Sequence, residues 1–214
     1  MTALKRFDEA EAAYIKGLNF RIAHPGSNLQ LGNLKKMQNA KAPAALCYYF
    51  FLLLESSSSR SKDASSSLLG LMYPKVDSTK TGIIINIDEK AINEDNPMAP
   101  AELFFNLLSL DSDKLKSRQQ RFVDDTNKFF DVVSELKANQ SKAVSSKKKK
   151  KKKEVQPNFY FDTYVPFFSD LKAADHVEPF CYHIMKSTGD PEVTRWLSDN
   201  SVKMDRFFTW LKTR

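Results

Sequence analysis

Apolar residues recur along much of this chain at steps of three and four, the period of a helix with one buried face. Phe7, Ala10, Tyr14, Leu18 and Ile22 share such a face, which predicts a helix over 5–23. His24-Pro25-Gly26 is expected to stop it. Ser27 or Asn28 is expected to cap a second helix over about 28–38, with Leu31, Leu34 and Met37 inward. After a turn at Asn39 and Ala40, residues 42–54 are apolar on nearly every side, so they predict a fully buried helix. Pro43 is accommodated in its first turn. A serine-rich break follows, and Lys62–Tyr73 regains the helical period through Leu68, Leu69 and Met72.

The pattern then changes. Gly82-Ile83-Ile84-Ile85-Asn86-Ile87-Asp88 is short and β-branched, and reads as a strand or an extended buried segment. Asn96–Pro100 is a turn, with Pro100 suited to a helix start. A helix over 100–110 is expected to present Leu103, Phe104, Leu107 and Leu108, and Asp111–Asp113 to end it. A longer helix over about 115–138 carries Phe122, Phe129, Val133 and Leu136 on one side. Ser141–Glu154 reads as linker, because adjacent lysines repel and stay solvated. Beyond it, helices are expected around Tyr164–Leu171, around Phe180–Met185 with Asp175 as cap, around Val193–Leu197 with Asp190 as cap, and around Met204–Leu211 with Asn200 as cap. Their aromatic surface is expected to pack onto the helices of 100–138.

A spacing of 34 residues organises the N-terminal third. Ala10, Tyr14 and Leu18 are matched by Ala44, Tyr48 and Leu52. A fixed period of this length is the mark of stacked helix–turn–helix units. Leu31-Gly32, with Asn39 seven residues past the glycine, opens one unit, and Ala44 with Tyr48 continues it. Arg6–Tyr14 reads as the second helix of a preceding unit. This stretch resembles the tetratricopeptide repeat family. The resemblance implies hairpins in which Gly32, Ala10 and Ala44 let helices approach closely while Tyr14 and Tyr48 fill the space between them. It also implies a peptide-binding face on the opening helix, carried here by Gln30, Asn33, Lys36 and Met37. The preceding unit lacks an opening helix, so Tyr14 and Leu18 are expected to be partly exposed and the N-terminal helix to promote self-association.

The expected fold is therefore mainly α. Tetratricopeptide-like antiparallel hairpins would occupy 1–73. A helical domain would occupy 74–214, with at most one or two short strands near 83–88 and a disordered lysine-rich loop at 141–156. Hydrophobic content of 42% and charged content of 28% are those of an ordinary globular chain. The net charge of +7 is accounted for by Lys147, Lys148, Lys149, Lys150, Lys151, Lys152 and Lys153, so the rest of the chain is neutral. That run is an expected weak, salt-sensitive nucleic-acid contact or nuclear-import signal, or else an inert solvated loop. The longest apolar stretch, Ala42–Leu54, is shorter than the roughly 20 residues a membrane span needs, so no membrane partner is expected.

No reactive constellation stands out. Gly-x-Gly-x-x-Gly, Gly-Lys-Ser and Gly-x-Ser-x-Gly are all absent. Cys47 and Cys181 lie in apolar stretches with no Cys-x-x-Cys pair, as free thiols in a reducing cytoplasmic setting do. His176, Glu178, Cys181 and His183 lack the helical spacing that would converge three ligands on a metal. Asp88, Glu89, Glu94 and Asp95 read as turn acids. No cofactor and no metal are expected. The reading is a non-enzymatic interaction module or adaptor for a peptide or protein, with a nucleic-acid-associated protein as the alternative.

Overall fold

The computed structural model describes residues 2–74, 96–108, 116–146 and 158–214. The strand expected at Gly82–Asp88, the turn acids Asp88–Asp95, the helix stop at Asp111–Asp113 and the lysine run all lie outside these residues. The fold is mainly α, with ten α-helices and no strand among the described residues. They are α1 (Thr2–Phe20), α2 (Pro25–Met37), α3 (Lys41–Leu54), α4 (Ser59–Met72), α5 (Ala99–Leu108), α6 (Arg118–Ser146), α7 (Phe159–Ala173), α8 (Val177–Ile184), α9 (Pro191–Asp199) and α10 (Ser201–Leu211).

Local chemistry sets most boundaries. Pro25 does not merely stop α1; it opens α2 at the first helical position, where its missing N–H costs nothing. His24 is the cap, its Nδ1 accepting the Ser27 N–H at 3.1 Å. Asn39 adopts the left-handed region at φ 57°, which asparagine tolerates, and turns the chain into α3. A capping box between Ser58 and Ser61 starts α4. Asn158 caps α7, and Asp190 caps α9 by accepting the Glu192 N–H at 2.8 Å. Three expected caps are corrected: His24 takes the place expected of Ser27 or Asn28, and two others fail. Asp175 sits at φ 58° between α7 and α8, and no side chain caps α8. Asn200 precedes α10, but its amide donates backwards to the Trp196 carbonyl at 3.0 Å. The long helix also runs further than expected. Ala138–Ser146 continues the backbone ladder, so α6 takes in 141–146 of the segment read as linker.

Helix α3 is the axis of the molecule. Ala42 through Leu53 are all buried, as an apolar circumference requires. Helices α2, α4, α5, α7 and α8 pack around it. Gly32 brings α2 in close: a Cβ there would lie 3.1 Å from the Tyr48 ring and 3.2 Å from Cys47 Cβ. On another side, Tyr49 meets Phe122, Phe129 and Phe130 of α6, Phe168 of α7 and Phe180 of α8, at centroid distances of 5.4–6.3 Å. Helices α7 and α8 pack on α6. One hydrophobic cluster runs through all of this, with contributors on both sides of residue 73.

The residues spaced 34 apart lie at different depths. Ala10 and Tyr14 are half-buried on α1, whereas Ala44 and Tyr48 are buried on α3. Leu18 and Leu52 are both buried, so the expected exposure of Leu18 is corrected. Helix α1 flanks α2, while α3 is encircled. In α5, the inward face is Ala101, Phe105 and Leu108, not Leu103 and Leu107, which are 39% and 46% exposed. The two faces of α5 are nearly equally apolar, and packing on α3 and α6 selects between them.

Candidate interaction surface

Helix α2 divides cleanly. Leu29, Leu31 and Leu34 face the core, while Gln30 and Lys36 are exposed and Asn33 is half-buried. Met37, expected inward, is 71% exposed, because it is the last helical residue and the chain turns away at Asn39. The four residues singled out from sequence share one side of α2, but they are not equally available. Asn33 Oδ1 accepts the Tyr48 hydroxyl at 2.8 Å, so its side chain helps to seat α3. Burial pushes the Tyr48 phenol up to about 12, which keeps it a donor. Lys36 Nζ donates to Ser67 Oγ at 3.1 Å and ties α2 to α4. Gln30 and Met37 remain as outward-facing groups.

Two clefts flank this region, and sequence reasoning missed both. The first, about 450 Å³, lies between α1 and the start of α7. Its wall holds Glu11, which accepts Lys35 Nζ at 2.6 Å and the Tyr160 hydroxyl at 2.7 Å. That carboxylate joins α1, α2 and α7. The second cleft, about 580 Å³, lies between α4 and the start of α6. Leu69, Gly70, Tyr73 and Pro74 form its apolar side, and Lys116, Arg118 and Arg121 its cationic side. The signal for it was present in Lys116-Ser117-Arg118-Gln119-Gln120-Arg121, three cations at a helix start with no acid in the first turn. Only tertiary packing places α4 opposite them.

Both thiols are withdrawn from the surface, while His176 and His183 are half-buried and His24 is exposed. Cys47 and Cys181 are free and buried. Burial pushes the Cys47 thiol up to about 12 and the Cys181 thiol upward as well, against thiolate formation. His183 Nε2 lies 3.2 Å from the Leu53 carbonyl oxygen, which makes it the donor. His176 packs its ring against Phe207 and Trp210. Among the described residues, no three His, Cys, Asp or Glu side chains converge as a metal site would require. The lysine run is outside the described residues, beginning directly after the last residue of α6.

Among the described residues, no helix is long and apolar enough to cross a membrane. The chain matches no family model, and searches of curated proteins and of solved structures give no match either.

Proposed function

We propose that this chain is a non-enzymatic helical interaction module, an adaptor that binds a peptide or a partner protein, with tetratricopeptide-like hairpins at its N-terminal end. One observation carries the reading. Helix α2 turns Gln30 and a 71%-exposed Met37 outward beside the exposed Lys36, which also reaches Ser67, and an exposed methionine beside polar groups suits an adaptable contact. The burial of both thiols supports the non-enzymatic part. Gly32 seated against Tyr48 supports the repeat-like part, because it is the small-plus-aromatic crossing such hairpins use. On this reading the protein works in the cytoplasm.

The test is proximity labelling in cells with the wild-type chain and a Gln30→Ala, Lys36→Glu, Met37→Asp variant. Asn33 is left intact because it holds Tyr48. Partners lost selectively from the variant support the reading, and an unchanged set removes it. Phe20, 94% exposed at the end of α1, supports self-association through the N-terminal helix. A Phe20→Ser chain that sediments identically to wild type at high concentration would count against that.

The lysine run supports a second reading, weak contact with nucleic acid and access to the nucleus. Binding to generic DNA and RNA should then fall steeply with salt, and should vanish when Lys147–Lys153 are replaced by serine.

A further inference from the structure

The cleft between α4 and α6 carries a charge arrangement that the interaction reading leaves unused. Among the described residues, its lining holds Lys116, Arg118 and Arg121 as the charged groups. All three cations sit at the start of α6, where the helix dipole adds positive potential even though Ser117 Oγ accepts the Gln120 N–H at 3.1 Å. Such a placement is unfavourable unless anions answer it. Among the described residues, Asp124 meets Lys116 at 2.6 Å and Asp125 meets Arg121 at 3.5 Å, both from outside the lining. Arg118 is exposed and forms no ion pair among the described residues. Asp190 borders the small void beside Arg118 without pairing with it.

Arg121 is already positioned. Its guanidinium lies 4.5 Å from the centre of the Tyr73 ring, and the Tyr73 hydroxyl donates to Asp125 Oδ2 at 3.0 Å. The ring and the buried carboxylate thus hold the guanidinium at the cleft wall before any ligand arrives. Opposite, the floor is low. Among the described residues, Gly70 has nothing within 4 Å of where a Cβ would stand, and Ser66 is exposed beside it. A polypeptide backbone can come close there, with an aliphatic side chain against Leu69 and Pro74.

We propose that this cleft binds an acidic segment of a partner protein, with glutamate or aspartate carboxylates on Arg118 and Arg121 and a neighbouring aliphatic residue on Leu69 and Pro74. The proposal deepens the interaction reading and rests on it. A peptide fits better than a nucleic acid because Tyr73 is the one aromatic ring lining the cleft among the described residues, and Arg121 already occupies one of its faces.

The experiment is an NMR titration of the 214-residue chain with a hexapeptide of alternating glutamate and leucine, and with its glutamine counterpart. The background chain has Lys147–Lys153 replaced by serine, so that the run cannot supply the affinity. The expected result is a set of shifts on Ser66, Gly70, Arg118 and Arg121, seen with the glutamate peptide and not with the glutamine one. Arg118→Glu, and independently Ser66→Glu, should each weaken binding about ten-fold, the worth of one charge-assisted contact. The proposal is overturned by absent shifts, by shifts elsewhere, by equal shifts with the glutamine peptide, or by an oligonucleotide that displaces the acidic peptide from these residues. A negative result here leaves the α2 variant as a separate test, so the two failures are distinguishable.

Discussion

Glu102 on α5 closes the N-terminus of α3. Its two carboxylate oxygens accept the backbone N–H groups of Lys41 and Ala42 at 3.0 and 3.1 Å, from about 60 residues further along the chain. Ala40, the residue before the helix, has no side chain to do this. A negative charge at that position also answers the helix dipole. The central helix is therefore capped by a tertiary contact. Glu102→Ala should cost about 2 kcal/mol, because it leaves buried donors unsatisfied. Glu102→Gln keeps an acceptor and should cost less. Urea unfolding of both variants checks this, and equal losses would exclude the capping role.

The glycines of α2 and α4 should respond oppositely to alanine. At Gly32 the new methyl would press on Tyr48 and Cys47, both fully buried. Crowding there should outweigh the roughly 1 kcal/mol gain in helix propensity, for a net loss of about 1 kcal/mol. At Gly70 no described residue lies within 4 Å of the new methyl. Gly70→Ala should therefore stabilise the protein by about 0.5–1 kcal/mol. Thermal melts of the pair read the signs directly.

Asn28 is buried where α1, α2 and α7 meet. Its amide donates to the carbonyls of Ile22 and His24 at 2.8 and 2.9 Å, and its Oδ1 accepts the Tyr164 hydroxyl at 2.7 Å. Tyr164→Phe keeps the ring and orphans that acceptor, at an expected cost of about 1–3 kcal/mol. The loss should appear as faster amide exchange in residues 22–28 as well as a lower Tm. A variant as stable as wild type would show that the bond contributes nothing.

Stability should fall on mild acidification. Burial lowers the pKa of His183 from 6.5 in the folded state, and lowers that of His176 too. The unfolded chain then binds more protons below pH 6.5, so this contribution is complete above 6.5 and is lost as pH falls through the folded values. Each histidine can remove at most about 1.4 kcal/mol per pH unit across that window. His183→Gln should flatten the Tm profile between pH 7.5 and 5.5, with a residual slope from His176. A profile unchanged by the substitution would assign the slope to other groups.

Much of the architecture was legible one residue at a time. The all-round apolar run Ala42–Leu54 announced a buried helix, although its last residue, Leu54, is exposed, and Asp190-Pro191 announced a helix start. The same style of reading erred where two local answers were nearly equal. Leu103 and Leu107 form as good a stripe as Ala101, Phe105 and Leu108, and no periodicity ranks them. Asp175 and Asn200 have capping chemistry, but one adopts a left-handed turn and the other bonds backwards. On α2, Met37 was expected inward but is exposed, and Asn33 was read as a binding residue but accepts the Tyr48 hydroxyl and serves packing.

Helix content, the burial of α3 and the charge balance of this chain follow from its order of residues, because they depend on neighbours three and four positions apart and on simple counting. Which face of α5 turns inward, what caps α3 and where a cationic wall meets an apolar one follow from the folded arrangement. Those choices depend on contacts between residues tens of positions apart, and their energies exist only once distant helices share a core.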